Sequence, residues 1–85
     1  MVVLKINITG DKRWFQDDTL HRVNNPAIIL TNGAKFWYQN NLSHRLDGPS
    51  DEYSCDAKYW YYQDQRIDCY SQEEFERLIK LRLLW

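Results

Sequence analysis

Two His-Arg pairs, His21-Arg22 and His44-Arg45, are the side chains of this 85-residue chain best suited to chemistry. Imidazole titrates near neutral pH and serves as a general base or metal ligand, while arginine grips phosphate or carboxylate. A catalytic site is normally assembled once, however, and these pairs stand 23 residues apart in matching surroundings. Recurrence points to a structural task in which each histidine packs at a turn and bonds the neighbouring Asn24-Asn25-Pro26 or Asp47-Gly48-Pro49 backbone. No Ser or Cys nucleophile stands at a recognisable spacing. The two histidines should lie two or more strands apart, with no Cys or acidic residue at ligand spacing in their motif. Cys55 and Cys69 are too few for a disulfide framework or a zinc site. Placed on strands flanking Lys58–Tyr62, they would lie about 9–10 Å apart, beyond the ~7 Å Cα limit of a disulfide. The expectation is free thiols, a reducing compartment, and a protein without enzymatic activity, metal or cofactor.

The spacing that argues against catalysis also describes the fold. Sliding the chain by 23 places Trp14 on Trp37 and Trp37 on Trp60. Lys12, Lys35 and Lys58 superimpose in the same way, as do Phe15, Tyr38 and Tyr61, and Pro26 falls on Pro49. The third copy decays, because Ile67-Asp68 stand where His-Arg should be and no proline follows. Each copy parses as strand, turn, strand. The aromatic run 34–39 suits a pleated surface, and Asn40-Asn41 tolerate the positive φ of a two-residue hairpin turn. Asp17-Asp18 and Gln63-Asp64 occupy the matching turns with weaker chemistry. Pro26 and Pro49 lack an N–H and belong at a strand start or edge.

At the start of the chain Val2, Leu4, Ile6 and Ile8 alternate with Val3, Lys5 and Asn7, which predicts a first strand with one buried face. From Ser71 the period becomes helical. Ser71 with Glu74 makes a capping box, and Phe75, Leu78, Ile79, Leu81, Leu83 and Trp85 form an apolar arc interrupted by Arg82. The fold class is therefore α+β, mainly β: an antiparallel meander of about six or seven strands closed by a C-terminal helix. It forms a single domain, 1–85, with a first strand at 1–9, repeats at 10–32, 33–55 and 56–70, and the helix at 71–85. The alternation puts Trp14, Trp37 and Trp60 in a row on one face.

The period and the aromatic-turn-His-Pro pattern resemble the MORN class of β-hairpin repeats. They are closer to a variant common in tailed phages and giant viruses, read as Trp-Tyr-x-Asn-Gly-x-x-His-Arg-x-Asp-Gly-Pro-Ala. Trp37-Tyr38-Gln39-Asn40 and His44-Arg45-Leu46-Asp47-Gly48-Pro49 carry the likeness, followed by His21-Arg22 and Asn25-Pro26-Ala27. It covers about residues 10–70. Asn41 replaces the turn glycine, and the helix lies outside the pattern. The resemblance implies binding or scaffolding, attaches no catalytic residue to the motif, and suggests a small viral protein in the host cytoplasm aimed at a host factor.

Composition agrees with a binding role. Eleven basic and twelve acidic side chains give a net charge of −1, which supplies no general attraction to nucleic acid or anionic lipid. A Lys-x-Trp row with Tyr38, Tyr59, Tyr61 and Tyr62 could stack single-stranded bases, but the interspersed acids oppose a phosphate track. The run 2–8 is too short and polar for a signal peptide or membrane span. Aromatic residues make up 15% of the chain, more than one covered sheet face needs. The surplus marks a partner site, with Tyr61, Tyr62, Leu84 and Trp85 as candidates and a host protein as the favoured partner. A single-strand nucleic-acid binder and a self-assembling homodimer are the alternatives.

Overall fold

The computed structural model describes residues 2–83, so Met1, Leu84 and Trp85 lie outside the described residues. Among the described residues, ten short strands precede one helix. They are β1 (Val3–Ile6), β2 (Lys12–Gln16), β3 (Thr19–Leu20), β4 (Ile28–Ile29) and β5 (Lys35–Phe36), followed by β6 (Tyr38–Gln39), β7 (Leu42–Ser43), β8 (Asp51–Glu52), β9 (Lys58–Tyr62) and β10 (Gln65–Ile67). The helix α1 spans Gln72–Leu83. Every pairing is antiparallel. The main sheet runs β1-β2-β4-β5-β8-β9-β10, β3 also pairs with β2, and β6-β7 is a separate ladder. This is a mainly β, α+β meander with a C-terminal helix.

The strands are more numerous and shorter than six or seven because the tryptophan strand changes partner along its length. In the second copy β5 pairs with the connecting strands β4 and β8, whereas β6 pairs with the return strand β7. Trp37 lies at the switch, donating its N–H to Ser50 O at 2.8 Å and accepting from His44 N–H at 3.0 Å. In the first copy Trp14 donates to Ala27 O at 2.9 Å and accepts from His21 N–H at 3.0 Å. Ala27 and Ser50 are 23 residues apart and both fully buried.

All three hairpin tips have both central residues at positive φ: 51° and 64° at Asp17-Asp18, 53° and 66° at Asn40-Asn41, 46° and 70° at Gln63-Asp64. This is the type I′ geometry whose twist matches that of the flanking strands. The register then aligns Lys12, Ile29, Lys35, Glu52 and Lys58 on one face, with the tryptophans two residues further along the same face. Arg13, Ile28, Phe36, Asp51 and Tyr59 align on the other.

The core sits at the helix end, where Trp60, Ile67, Phe75 and Ile79 are buried and Tyr62, Cys69 and Leu78 pack against them. Ser71 Oγ accepts the Glu74 N–H at 3.1 Å, but the Glu74 carboxylate takes the Tyr70 N–H at 3.0 Å rather than that of Ser71. The reciprocal half of the capping box is displaced by one residue. Arg82 donates to Gln65 Oε1 at 2.9 Å, which explains a charge inside the arc. Leu81, expected within that arc, is exposed. The first strand also departs from expectation: Val2, Val3, Leu4 and Ile6 are all exposed, and β1 has no buried face. Alternation shows that a strand is amphipathic, but among the described residues nothing buries either side of this one. The molecule measures 42 × 30 × 17 Å, the thickness of a single layer with partial cover.

Candidate interaction face

The recurrent residues hold one hairpin to the next. His21 Nδ1 accepts the Asn40 N–H at 3.1 Å, and His44 Nδ1 accepts the Gln63 N–H at 3.1 Å. Each histidine thus binds the first tip residue of the following hairpin rather than the Asn24-Asn25-Pro26 or Asp47-Gly48-Pro49 backbone beside it. The neighbouring arginine takes that local role. Arg22 lies 3.9 Å from the Trp14 ring centroid and donates to Pro26 O, while Arg45 lies 3.8 Å from that of Trp37 and donates to Pro49 O. Arg45 also reaches Asp47 at 2.8 Å and Glu52 at 2.9 Å, and its guanidinium holds the Asp47 carboxyl below its ordinary pKa. Asn24 and Ile29 occupy the matching places in the first copy, so Arg22 lacks those partners.

A second hook was not read from the sequence. Asn41 N–H donates to Leu20 O at 2.9 Å while Asn41 Oδ1 accepts the Leu20 N–H at 2.6 Å. Asp64 repeats the pair on Ser43, at 2.8 and 3.1 Å. A glycine relieves strain at this position of the turn, but only a side-chain acceptor makes the second bond. The missing turn glycine at Asn41 was the available signal.

In the third copy the helix replaces the charged pair. Ile67, in the histidine position, is buried beside Phe75. Trp60 Nε1 donates to Gln72 Oε1 at 2.8 Å, and the same amide gives its N–H to Leu46 O at 2.9 Å. Tyr62, expected at a partner surface, faces this core and packs at 5.1 Å against the His44 ring.

Among the described residues, no element covers the opposite face. There Phe36, Tyr53 and Tyr59 meet edge to face, with centroids 5.3 and 5.7 Å apart, and Arg66 stacks on Tyr59 at 4.7 Å. Tyr61 extends the row along β9, and Tyr53, Cys55, Ala57, Tyr59, Tyr61 and Arg66 line an open groove of about 400 Å³. Burial raises the Tyr53 phenol pKa, with Asp51 adding to it. Asp51 stands opposite Phe36 and Tyr59 in the register; its own burial pushes its carboxyl pKa up, against the hydrogen bond from Ser43 Oγ at 3.2 Å.

No protein-family model, curated protein or solved structure matches this chain. The geometry alone therefore carries the reading of the site.

The structure separates the four candidate partner residues. Tyr61 lines the open aromatic face, Tyr62 serves the core, and Leu84 and Trp85 lie outside the described residues. The face was recognisable only in part, because Phe36 comes from β5 and Tyr53 from just past β8, and Tyr53 is what joins Phe36 to Tyr59. Cys55 and Cys69 are free thiols, but neither lies on a strand: Cys55 sits in the tip between β8 and β9, and Cys69 follows β10. Among the described residues no group of three His, Cys, Asp or Glu gathers at metal-binding distance, and no helix is long and apolar enough to cross a membrane.

Proposed function

We propose that this chain is a non-enzymatic protein-binding module whose working surface is the aromatic face of the sheet. The observation that carries it is the ring row Phe36–Tyr53–Tyr59, continued by Tyr61 and flanked by Arg66, on the side that no element among the described residues covers. Aromatic rings with an arginine are the residue types that dominate the energetics of protein interfaces. Tyr53 packs on both neighbouring rings yet stays 41% exposed. Both histidines are engaged in holding hairpins together and both arginines in bonding their own copy, which supports a binding role over catalysis. The Asp51 carboxylate in the middle of the row opposes a phosphate backbone, so a protein suits this face better than single-stranded nucleic acid. Together with the resemblance to MORN-like viral hairpin repeats, this face points to a host protein that is inhibited or redirected, such as a defence factor.

Affinity capture from bacterial lysate with mass spectrometry tests the reading, comparing the native chain with Tyr53→Ala. The expected result is a host protein enriched by the native chain and lost with the variant. Enrichment of no host protein would sink the reading, and equal capture by the variant would remove this face from it.

A further inference from the structure

We infer that the open edge of β1 pairs antiparallel with β1 of a second copy of this chain, giving a two-fold dimer with a continuous sheet. In the register, Ile6 stands where Ile29 and Glu52 stand in the later copies, each opposite the lysine that begins its tryptophan strand. The internal strands β4 and β8 are paired on both sides, but among the described residues β1 is paired only with β2. Asn7 N–H donates to Asp11 O. Antiparallel alternation then turns the N–H and C=O groups of Leu4 and Ile6 away from β2, toward the open edge.

The occupant is not a further hairpin of the same kind. Internal hairpins pack on Ala27 and Ser50, both fully buried, and Leu4 stands at the equivalent place. Its larger side chain would keep such a hairpin off. The edge carries little of the usual protection against pairing: its one charge, Lys5, lies over the Phe15 ring at 5.0 Å. Val3 stands where Pro26 and Pro49 stand, and Ile8, wholly exposed at the β1-β2 turn, replaces Thr31 and Ser54.

The two-fold register that keeps the Lys5 side chains apart and engages the wholly exposed Ile8 is the one centred on Ile6. Centring the two-fold on Lys5 would set two ammonium groups against each other, which is destabilising. Centring it on Ile6 sets Ile6 against itself and Leu4 beside Ile8 of the second copy, with Lys5 facing Asn7 on the other side of the sheet. Exposed apolar surface on Val2, Val3, Leu4, Ile6 and Ile8 comes to roughly 500 Å² per copy, below the ~800 Å² of a standard interface. The dimer is accordingly weak and concentration-dependent. The axis runs perpendicular to the sheet, so both aromatic faces look the same way and could engage a repeated partner together.

Sedimentation equilibrium from about 1 to 500 μM tests the pairing, on the native chain, Ile6→Lys, and Leu46→Lys as a control at another exposed leucine. The expected result is a dimer for the native chain and the control, with the dissociation constant raised roughly tenfold or more in Ile6→Lys, where two charges meet at the axis. Amide exchange supplies a measurement on the unaltered chain: Leu4 and Ile6 should become slower to exchange as concentration rises. A native chain monomeric throughout, a variant that dimerises equally well, or exchange at Leu4 and Ile6 independent of concentration each overturns the proposal. Binding of a host protein plays no part in these readouts.

Discussion

Acidification should loosen the stack through His44. Its Nδ1 accepts the Gln63 N–H at 3.1 Å, and a protonated imidazole has no lone pair there to offer. Burial holds the His44 pKa below the ordinary 6.5, so the folded state binds the proton less readily than the unfolded chain. Stability is then complete above about pH 6.5 and falls as the pH drops toward the lower folded-state pKa. The amount at stake is one hydrogen bond whose donor becomes free to meet water at an exposed tip, about 0.5–1 kcal/mol. For a chain of this length that lowers Tm by about 2–8 °C.

Thermal unfolding followed by tryptophan fluorescence between pH 7.5 and 5 reads this directly, and His44→Asn isolates it. The asparagine Oδ1 sits near the place of Nδ1, accepts the same N–H and does not titrate. Native protein should lose more stability across the window than the variant, which keeps only the equivalent bond from Asn40 N–H to His21. Asp51, with its pKa raised by burial, works in the opposite sense at the acid end, so the difference between the two proteins is the quantity to follow. Equal slopes would show that the histidine bond carries no stability, and the account of the repeat as a stack joined at its tips would fail.

Two further outcomes follow from the core and the thiols. Phe75→Ala empties the most buried ring of the helix interface and should cost ~3–5 kcal/mol, seen in urea titration as a large fall in midpoint; a change under ~1 kcal/mol would mean the helix does not close the sheet. Cys55 is exposed, whereas Cys69 is half-buried with its thiol pKa raised by burial and then by Glu74 and Asp68. Titration with a disulfide reagent at pH 8 should show one fast thiol and one slow one, and Cys55→Ser should abolish the fast phase.

What could be read from the sequence was whatever repeats. Trp14, Trp37 and Trp60 share a face because a fixed spacing and a two-residue side-chain period leave them little alternative. The I′ tips were legible at Asn40-Asn41 from residue type, and at Asp17-Asp18 and Gln63-Asp64 only through the repeat. What joins one copy to another was not legible. Asn41 to Leu20 and Asp64 to Ser43 are contacts across a strand order that no local pattern encodes. The aromatic face illustrates the same limit: Tyr61 was visible in its own strand, but the row depends on Tyr53 reaching both Phe36 and Tyr59. In the opposite direction, the alternation of β1 suggested burial that no second layer provides.

The places where the repeat breaks carry the most information about this molecule. Within a stack, each copy inherits a neighbour, so its shared residues answer the same physical demand every time. A copy at the end of the stack faces a different demand. A histidine at position 67 would have no following tip to bind, and burying it without a partner would be costly. Isoleucine there instead supplies apolar surface to Phe75. Trp60 likewise has no arginine above it, and the Gln72 amide satisfies its N–H while tying the helix back to Leu46. The loss of His-Arg in the third copy is therefore not erosion of a motif. It is the substitution that lets a helix, rather than another hairpin, lie against the last tryptophan.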